Sequence, residues 1–484
     1  MKKTKKTCIS TDRSSSKQDL PAEFLERMKD LLGDEYEDFL LSLNEPEYKA
    51  LRFNPLKAEE AQLLAFINEM EGCRDCAVSI EREPVKWEKR GFYYSVPDAG
   101  PAGSPVRGPG LHPLHEAGAY YIQEPSAMKP VTLMDIGPGE TVLDLCAAPG
   151  GKSTQIASAL MGSGLLVSNE YIQKRAAILS SNIERMGITN AVVINESPEK
   201  IGSAFADFFD KILVDAPCSG EGMFRRSATA VSEWSVDNVH MCALRQRAIL
   251  DEAVNALKPG GRLVYSTCTF ELDEDEGLIK GFLEDHPELK LVIKEKLWPH
   301  KVRGEGHFMA VLDKAGNAHD GYNVRTGRPV TLDDVLCGKI KKFPGNTDLA
   351  GFNVFFEENL RPDCRLGGDG YLTVFGSRLY LVPPQMTDLR GLKVLRPGLE
   401  LGTFLKGRFE PAHALAMALS PDDTVNSLSL SYDEAKAYLS GLTIPCRGAN
   451  GWYLICYDGI SMGWGKLSGN IMKNHYPRAL RRNL

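Results

Sequence analysis

Two cysteines and one carboxylate in this chain have the types and placement to do chemistry together. Asp215 and Cys218 fall in DAPCSGEGMFRR (Asp215 to Arg226), and Cys268 falls in YSTCTF (Tyr265 to Phe270). Carbon 5 of a pyrimidine is poorly reactive until a thiolate adds at carbon 6 and creates an enamine-like intermediate, so methylation there needs a nucleophilic thiol. That thiol must be partly ionised, which a strand-end site near amides or cations promotes. An acid must stabilise the ring nitrogen, and a proton must leave carbon 5 before the attacking sulfur is expelled. Two thiols and Asp215 meet these demands, and spacing alone leaves open which cysteine attacks. A single strand cysteine is usually a small buried hydrophobe. Two at the ends of neighbouring strands, one after an acid and a proline, are poorly explained that way.

The run TVLDLCAAPGGKST (Thr141 to Thr154) joins a short apolar strand to a helix through a turn with almost no side chains. Gly150 and Gly151 let a ligand approach the backbone near helix amides that favour a carboxylate or phosphate. A phosphate-binding loop needs a glycine four residues before its final Gly-Lys-Ser, and Cys146 occupies that place. A dinucleotide turn needs G-x-G-x-x-G, where Ala147, Ala148 and Pro149 intervene. S-adenosylmethionine remains as the ligand. Glu170, at the end of the next strand, is placed to accept hydrogen bonds from the ribose hydroxyls of such a nucleoside.

The elements that must carry these residues alternate. Apolar strands are expected at Val142 to Cys146, Leu165 to Glu170, Ala191 to Asn195, Lys211 to Asp215 and Gly261 to Thr269, with helices such as Lys174 to Met186 and Val239 to Leu257 between them. Such alternation implies a parallel sheet covered on both faces, which binds ligands at the carboxyl ends of its strands. Gly306 to Lys314 reads as a closing edge strand. Two helical patterns and LRFNPLK (Leu51 to Lys57) suggest a separate α+β module before it, and GWYLICYDGISMGWGK (Gly451 to Lys466) suggests a small barrel after it.

At 484 residues, with 43% hydrophobic and 25% charged content, the chain has the composition of a soluble protein of two to four domains. Eleven cysteines without an export signal argue for a reducing compartment, so a cytosolic location is expected. A net charge of −7 does not exclude nucleic acid, because binding depends on local basic patches. Candidates are the tail (Lys2, Lys3, Lys5, Lys6), Arg225 with Arg226, and Arg478, Arg481 and Arg482. Cys73 and Cys76 form an isolated C-x-x-C with no second pair at zinc spacing, so no metal is expected.

YIQEPSAM (Tyr121 to Met128), DLCAAPGGKS (Asp144 to Ser153), DAPCSGEGMFRR and YSTCTF together closely resemble the Sun-type RNA cytosine-5 methyltransferases, in family order over Leu51 to Lys314. LRFNPLK and the terminal GWGK segment are similar to the RsmF branch, which modifies small-subunit (16S) ribosomal RNA. The resemblance implies an α/β fold: a Rossmann-like S-adenosylmethionine-dependent methyltransferase domain over 97–314, after a basic tail (1–19) and an α+β RNA-binding module (20–96). An intermediate domain (315–395) and a PUA-like RNA-binding β-barrel domain (396–484) follow. It implies Cys268 as the nucleophile and Cys218 as the residue that assists breakdown of the adduct. Cys146, Ala147, Ala148, Pro149, Gly150, Gly151, Lys152, Glu170 and Asp215 would contact S-adenosylmethionine, with Lys174 and Arg175 nearby. Where relatives carry an aspartate for the adenine, this chain has Asn195-Glu196-Ser197, and Ser197, or alternatively Glu196, is the expected substitute. Glu274-Asp275-Glu276 stands in place of the usual Glu-Asn-Glu. The partner implied is 16S ribosomal RNA or the small subunit; a tRNA cytosine, or an assembly factor that binds RNA without turnover, are the alternatives.

Overall fold

The computed structural model describes residues 20–73, 75–97, 108–317, 330–343, 349–364, 366, 370–386, 389–406 and 408–482. The basic tail and most of the Gly/Pro-rich segment before Pro113 lie outside them.

At the centre is an eight-stranded sheet built from β1 (Thr141–Asp144), β2 (Leu165–Asn169), β3 (Ala191–Ile194), β4 (Phe209–Asp215), β5 (Leu257–Thr267), β6 (Leu289–Leu297), β7 (His307–Lys314) and β8 (Val394–Arg396). Its order is β6-β7-β5-β4-β1-β2-β3-β8. The strands β1 to β5 run parallel, with helices α1 (Gly151–Leu160), α2 (Gln173–Arg185), α3 (Pro198–Ala204) and α4 (Val236–Ala256) in their crossovers. Successive residues point to opposite faces, as strand geometry requires. Leu143, Val167, Ile212 and Val214 pack under Leu250 and Val254 of α4, while Val142, Leu166, Val193 and Leu213 pack against Ile156 of α1 and Leu179 of α2. Both faces are covered, which is why these strands read as unbroken apolar runs.

The edges differ from the sequence reading. β7 is interior, hydrogen-bonded antiparallel to both β5 and β6, and β6 takes the edge. β6 has the sequence LKLVIKEKL, whose charged residues suit a strand with one partner and obscure its apolar pattern. At the far edge β8 pairs antiparallel with β3.

Two of the boundaries drawn from the sequence also cut through sheets. The N-terminal sheet, Ser79–Val85, Glu88–Ser95, Lys49–Phe53 and Tyr120–Ile122 in that order, takes its last strand from beyond residue 96. A boundary at 395 divides β8 and separates Tyr371–Phe375 and Arg378–Val382 from their sheet partners Leu399–Leu405 and Arg408–Pro411. The final sheet, Ser427–Leu430, Gly451–Tyr457, Ile460–Ser468, Ile471–Asn474 and Ile444–Pro445, curls into a half-barrel where the barrel was expected. No helix among the described residues is long and apolar enough to cross a membrane.

The N-terminal sheet is bolted to the central domain by LRFN. Arg52, 1% exposed, donates to Gly151 O at 3.0 Å, to Thr154 Oγ1 at 2.8 Å and to Gln123 Oε1 at 3.1 Å. Asn54 Nδ2 donates to Gly118 O and Met186 O, both at 2.9 Å. Gly118 has φ +75° and lies against the end of α2, where an added Cβ would sit 2.0 Å from Arg185 O. Strain and overlap coincide, so Gly118→Ala is expected to destabilise the protein by at least about 2 kcal/mol. A thermal melt showing an unchanged Tm would refute this close approach.

Candidate active site

β1 ends at Asp144, and the chain passes through Cys146-Ala147-Ala148-Pro149 with a cis Ala148–Pro149 peptide before entering α1. Gly150 caps α1 at φ +116°, and a Cβ there would lie 3.2 Å from Leu179. This position therefore needs glycine both for its backbone angle and for its packing. Beside the turn is a cavity of about 290 Å³, lined by Cys146, Ala147, Ala148, Pro149, Gly151, Lys152 and Asp215, with Asp144, Tyr121, Gln123, Glu124 and Arg226 also on its wall. A Cβ on Gly151 would come within 3.3 Å of Tyr121 and Gln123.

Burial dominates the electrostatics of this wall. Asp144 is fully buried and pushed up to about 7 by burial, against the hydrogen bond from Ser153 Oγ at 2.6 Å; its Oδ1 has no partner. Burial and the nearby carboxylates of Asp144, Asp215 and Glu170 also push the Cys146 thiol up, so it stays neutral. Asp215 behaves differently. Burial would raise it, but the Lys152 ammonium, 2.8 Å from Oδ2, and the His307 ring, 3.4 Å from Oδ1, hold it well below the usual carboxylate range. Ser266 Oγ donates to Oδ1 at 2.8 Å.

The two sulfurs stand next to this carboxylate. Cys218 follows the end of β4 and Cys268 the end of β5, and their Sγ atoms are 3.3 Å apart. The contact with Cys268 and burial push the Cys218 thiol well up, and either sulfur can be the donor in their contact. Glu221 and Gly222 hold the two loops together. Glu221, fully buried, accepts Phe270 N at 2.9 Å and Trp234 Nε1 at 2.8 Å. Gly222 N donates to Cys268 O at 2.8 Å, and a Cβ on Gly222 would sit 2.9 Å from that oxygen. The acidic triplet braces the same loops: Glu274 accepts Ser219 N at 3.0 Å and Gln246 Nε2 at 2.7 Å. Asp275, pushed up to about 7 by burial, accepts Thr267 Oγ1 at 2.6 Å and lies 2.9 Å from Lys296 Nζ.

Of the residues expected at the cofactor, Cys146 through Pro149, Gly151, Lys152 and Asp215 line the cavity. Lys152 turns its amine to Asp215. Glu170, Ser197 and Gly150 lie outside that lining. Glu170 Oε1 accepts Ile172 N at 2.8 Å and Oε2 pairs with Arg175 at 3.5 Å. Ser197 opens α3 and hydrogen-bonds Glu199, while Glu196 accepts Lys393 N at 2.7 Å beside β8. Arg225, a candidate phosphate contact, is instead buried against Glu305 at 3.3 Å. Arg226 lies on the cavity wall and pairs with Glu47 at 2.9 Å. The sequence reading gave no role to Tyr121, Gln123, Asp144 or His307; the YIQEP run, the aspartate opening DLCAAPGGKS and the histidine in GHF were the traces of them.

Comparison with known proteins adds four matches that together run along most of the chain. The model for the N-terminal domain of 16S rRNA methyltransferase RsmF matches 20–125, and that for 16S rRNA methyltransferase RsmB/F matches 131–313. The RsmF first C-terminal domain matches 354–419 and the RsmF PUA domain 425–482. The chain is 32% identical to ribosomal RNA small subunit methyltransferase F of Erwinia tasmaniensis, over 96% of this chain and 97% of that one. It is 30% identical to the protein of that name from Vibrio vulnificus, over 96% and 98%. Among solved structures, a methyltransferase homologue from Pyrococcus horikoshii superposes with TM-score 0.52 at 28% identity, over 60% of this chain and 94% of that one. NSun6 from the same organism, solved with SFG, shares the fold with TM-score 0.53 at 22% identity, over 62% and 100%.

Proposed function

The chain belongs to the RsmF family of 16S rRNA methyltransferases, and from that premise we propose that it methylates carbon 5 of a cytosine in 16S ribosomal RNA through a covalent bond to Cys268. The observation that carries this reading is the pair of sulfurs 3.3 Å apart beside the ionised Asp215. Methylation at nitrogen or ribose oxygen has no use for two thiols.

The cavity suits the S-adenosylmethionine on which this family depends. The amides opening α1 favour its carboxylate, and the partnerless Asp144 oxygen favours a cationic group. The neutral Cys146 thiol and Ala147 to Pro149 supply an uncharged wall. When bound there, the cofactor supplies the methyl group.

The protein's own steps follow from the geometry. Cys268 sulfur bonds to carbon 6, and the displaced π pair makes carbon 5 nucleophilic. Lys152, held 2.8 Å from Asp215, offsets the negative charge that develops on the ring, and the ionised Asp215 accepts a hydrogen bond from the exocyclic amine of the base. Once carbon 5 carries its methyl, Cys218, after giving up its own proton, takes the carbon 5 proton; that electron pair re-forms the 5,6 double bond and Cys268 leaves carbon 6 as a thiolate. The cytosine must leave its stack to reach this depth, at a cost of a few kcal/mol. We assign the grip on the surrounding RNA to the N-terminal sheet and to the PUA domain over 425–482.

Cys218→Ala is expected to accumulate a protein–RNA adduct stable on a denaturing gel, which disappears when Cys268→Ala is added. Bisulfite sequencing of the ribosomal RNA then reads the product. Trapping by Cys268→Ala with normal turnover by Cys218→Ala would reverse the roles.

A further inference from the structure

The helices Ala22–Leu32 and Tyr36–Ser42 precede the N-terminal sheet in the chain but pack elsewhere. Phe24, fully buried, meets Phe224 at 5.0 Å and Trp234 at 5.8 Å between ring centroids. Phe39, also fully buried, meets Phe270 edge-on at 5.5 Å and Trp298 at 5.8 Å. Phe224 lies on the segment that follows Cys218, and Phe270 on the segment that follows Cys268, so each helix presses on the loop of one cysteine. The core they build there holds, among the described residues, none of the N-terminal sheet.

One charged contact borders this core. Arg27 Nε donates to Glu271 Oε2 at 2.8 Å, and its Nη2 donates to Asp273 Oδ2 at 2.9 Å. Glu271 stands shortly after Cys268 in the chain and is 2% exposed, and among the described residues Arg27 is the cation paired with it. The second oxygen of Glu271, Oε1, is buried without a partner. Burial and the Glu271 charge push the neighbouring Glu221 carboxyl well up, so Glu221 carries a proton that this oxygen can accept. Glu221 also accepts Phe270 N at 2.9 Å, and Gly222 N donates to Cys268 O at 2.8 Å. A chain of contacts therefore runs from Arg27 through Glu271 and Glu221 to the backbone on both sides of Thr269, directly beside the sulfur of Cys268.

We propose that Arg27 is a positioning residue for methyl transfer, whose guanidinium neutralises the buried Glu271 and so holds the loop that aims the Cys268 sulfur at carbon 6. The role rests on the reading of Cys268 as the nucleophile. A buried carboxylate that loses its cation is strongly unfavourable, and Glu271 regains water only if the segment 268–271 moves away from Glu221. The attacking sulfur moves with that segment. Arg27 is partly exposed, yet it faces the carboxylates of both Glu271 and Asp273, so the group offers no net positive charge to an RNA phosphate.

In steady-state methylation of 16S RNA by the full-length protein, Arg27→Met should lower kcat by about 10²-fold, as expected for a nucleophile displaced by roughly 1 Å, and leave KM for RNA within about 3-fold. Arg27→Lys, which keeps the charge but not the two-pronged contact, should stay within about 10-fold of wild type in kcat. Adding Glu271→Gln to Arg27→Met removes the charge that needs neutralising, and should bring kcat back to within about 10-fold of wild type. This rescue also tests the role if Arg27→Met alone is too unstable to assay. In the Cys218→Ala background, Arg27→Met should slow the appearance of the protein–RNA adduct by the same factor as kcat. A raised KM with unchanged kcat would make Arg27 a phosphate contact, and a double variant as slow as Arg27→Met would show that it does not act through Glu271; either result overturns the proposal. Absence of the adduct from Cys218→Ala with Arg27 intact would instead overturn the reading of Cys268, while the kcat values still decide whether Arg27 acts through Glu271.

Discussion

Cys268→Ala is expected to lower kcat/KM for RNA methylation by at least about 10⁴-fold, because without a thiolate at carbon 6 the base offers no nucleophilic carbon 5. No neighbour can take over the attack. Cys218, 3.3 Å away, is a thiol pushed well up by burial and by its neighbour, and Cys146 is a thiol pushed up by burial on the cofactor side of Asp215. The loop geometry should survive, since Gly222 N and Phe270 N are held by the Cys268 carbonyl and by Glu221, which the substitution leaves in place. S-adenosylmethionine and RNA affinities should therefore stay within about 3-fold, as isothermal titration and filter binding would show. Turnover above about 1% of wild type, with product carrying 5-methylcytosine, would rule Cys268 out as the nucleophile.

The parts of this site legible in the sequence are those dictated by local constraints. The five parallel strands are buried on both faces and so appear as apolar runs, and a left-handed Gly150 before a helix leaves Gly-Gly in the chain. The two cysteines were legible because each stands within three residues of the end of such a run. What escaped depends on contacts distant in sequence. β6 has one neighbour and alternates charged with apolar residues; β8 joins β3 from some two hundred residues away. Glu221 looks like a surface acid until its partners Trp234 and Phe270 are seen. Arg225 reads as a phosphate ligand and Arg52 as an ordinary strand residue, although both are buried among acceptors supplied by other segments. Strand pairing crosses the expected domain limits for the same reason, since Tyr120–Ile122 and Val394–Arg396 pair across the lines that composition suggests.

Asp215→Asn is expected to reduce kcat by about 10²–10⁴-fold, the range for a group that manages a proton or charge in the transition state, with little change in S-adenosylmethionine affinity. The pH dependence separates this role from a merely structural one. In the folded protein Lys152 and His307 hold the Asp215 carboxyl low, so its contribution is complete above the unfolded value of about 3.9 and is lost only as pH falls towards the folded value. Asp215 is thus charged at every pH where the enzyme works, and the wild-type to Asp215→Asn rate ratio should be flat from about pH 5 to 9. Lys152→Met should behave in the opposite way. With the ammonium 2.8 Å from Oδ2 removed, burial acts against a weaker opposition from His307 and Ser266, and the carboxyl moves up. Its activity should then fall as pH drops through the acid range in which wild type is unaffected. A Lys152→Met enzyme with the wild-type pH profile would mean that the lysine serves the cofactor alone and that Asp215 keeps its charge without it.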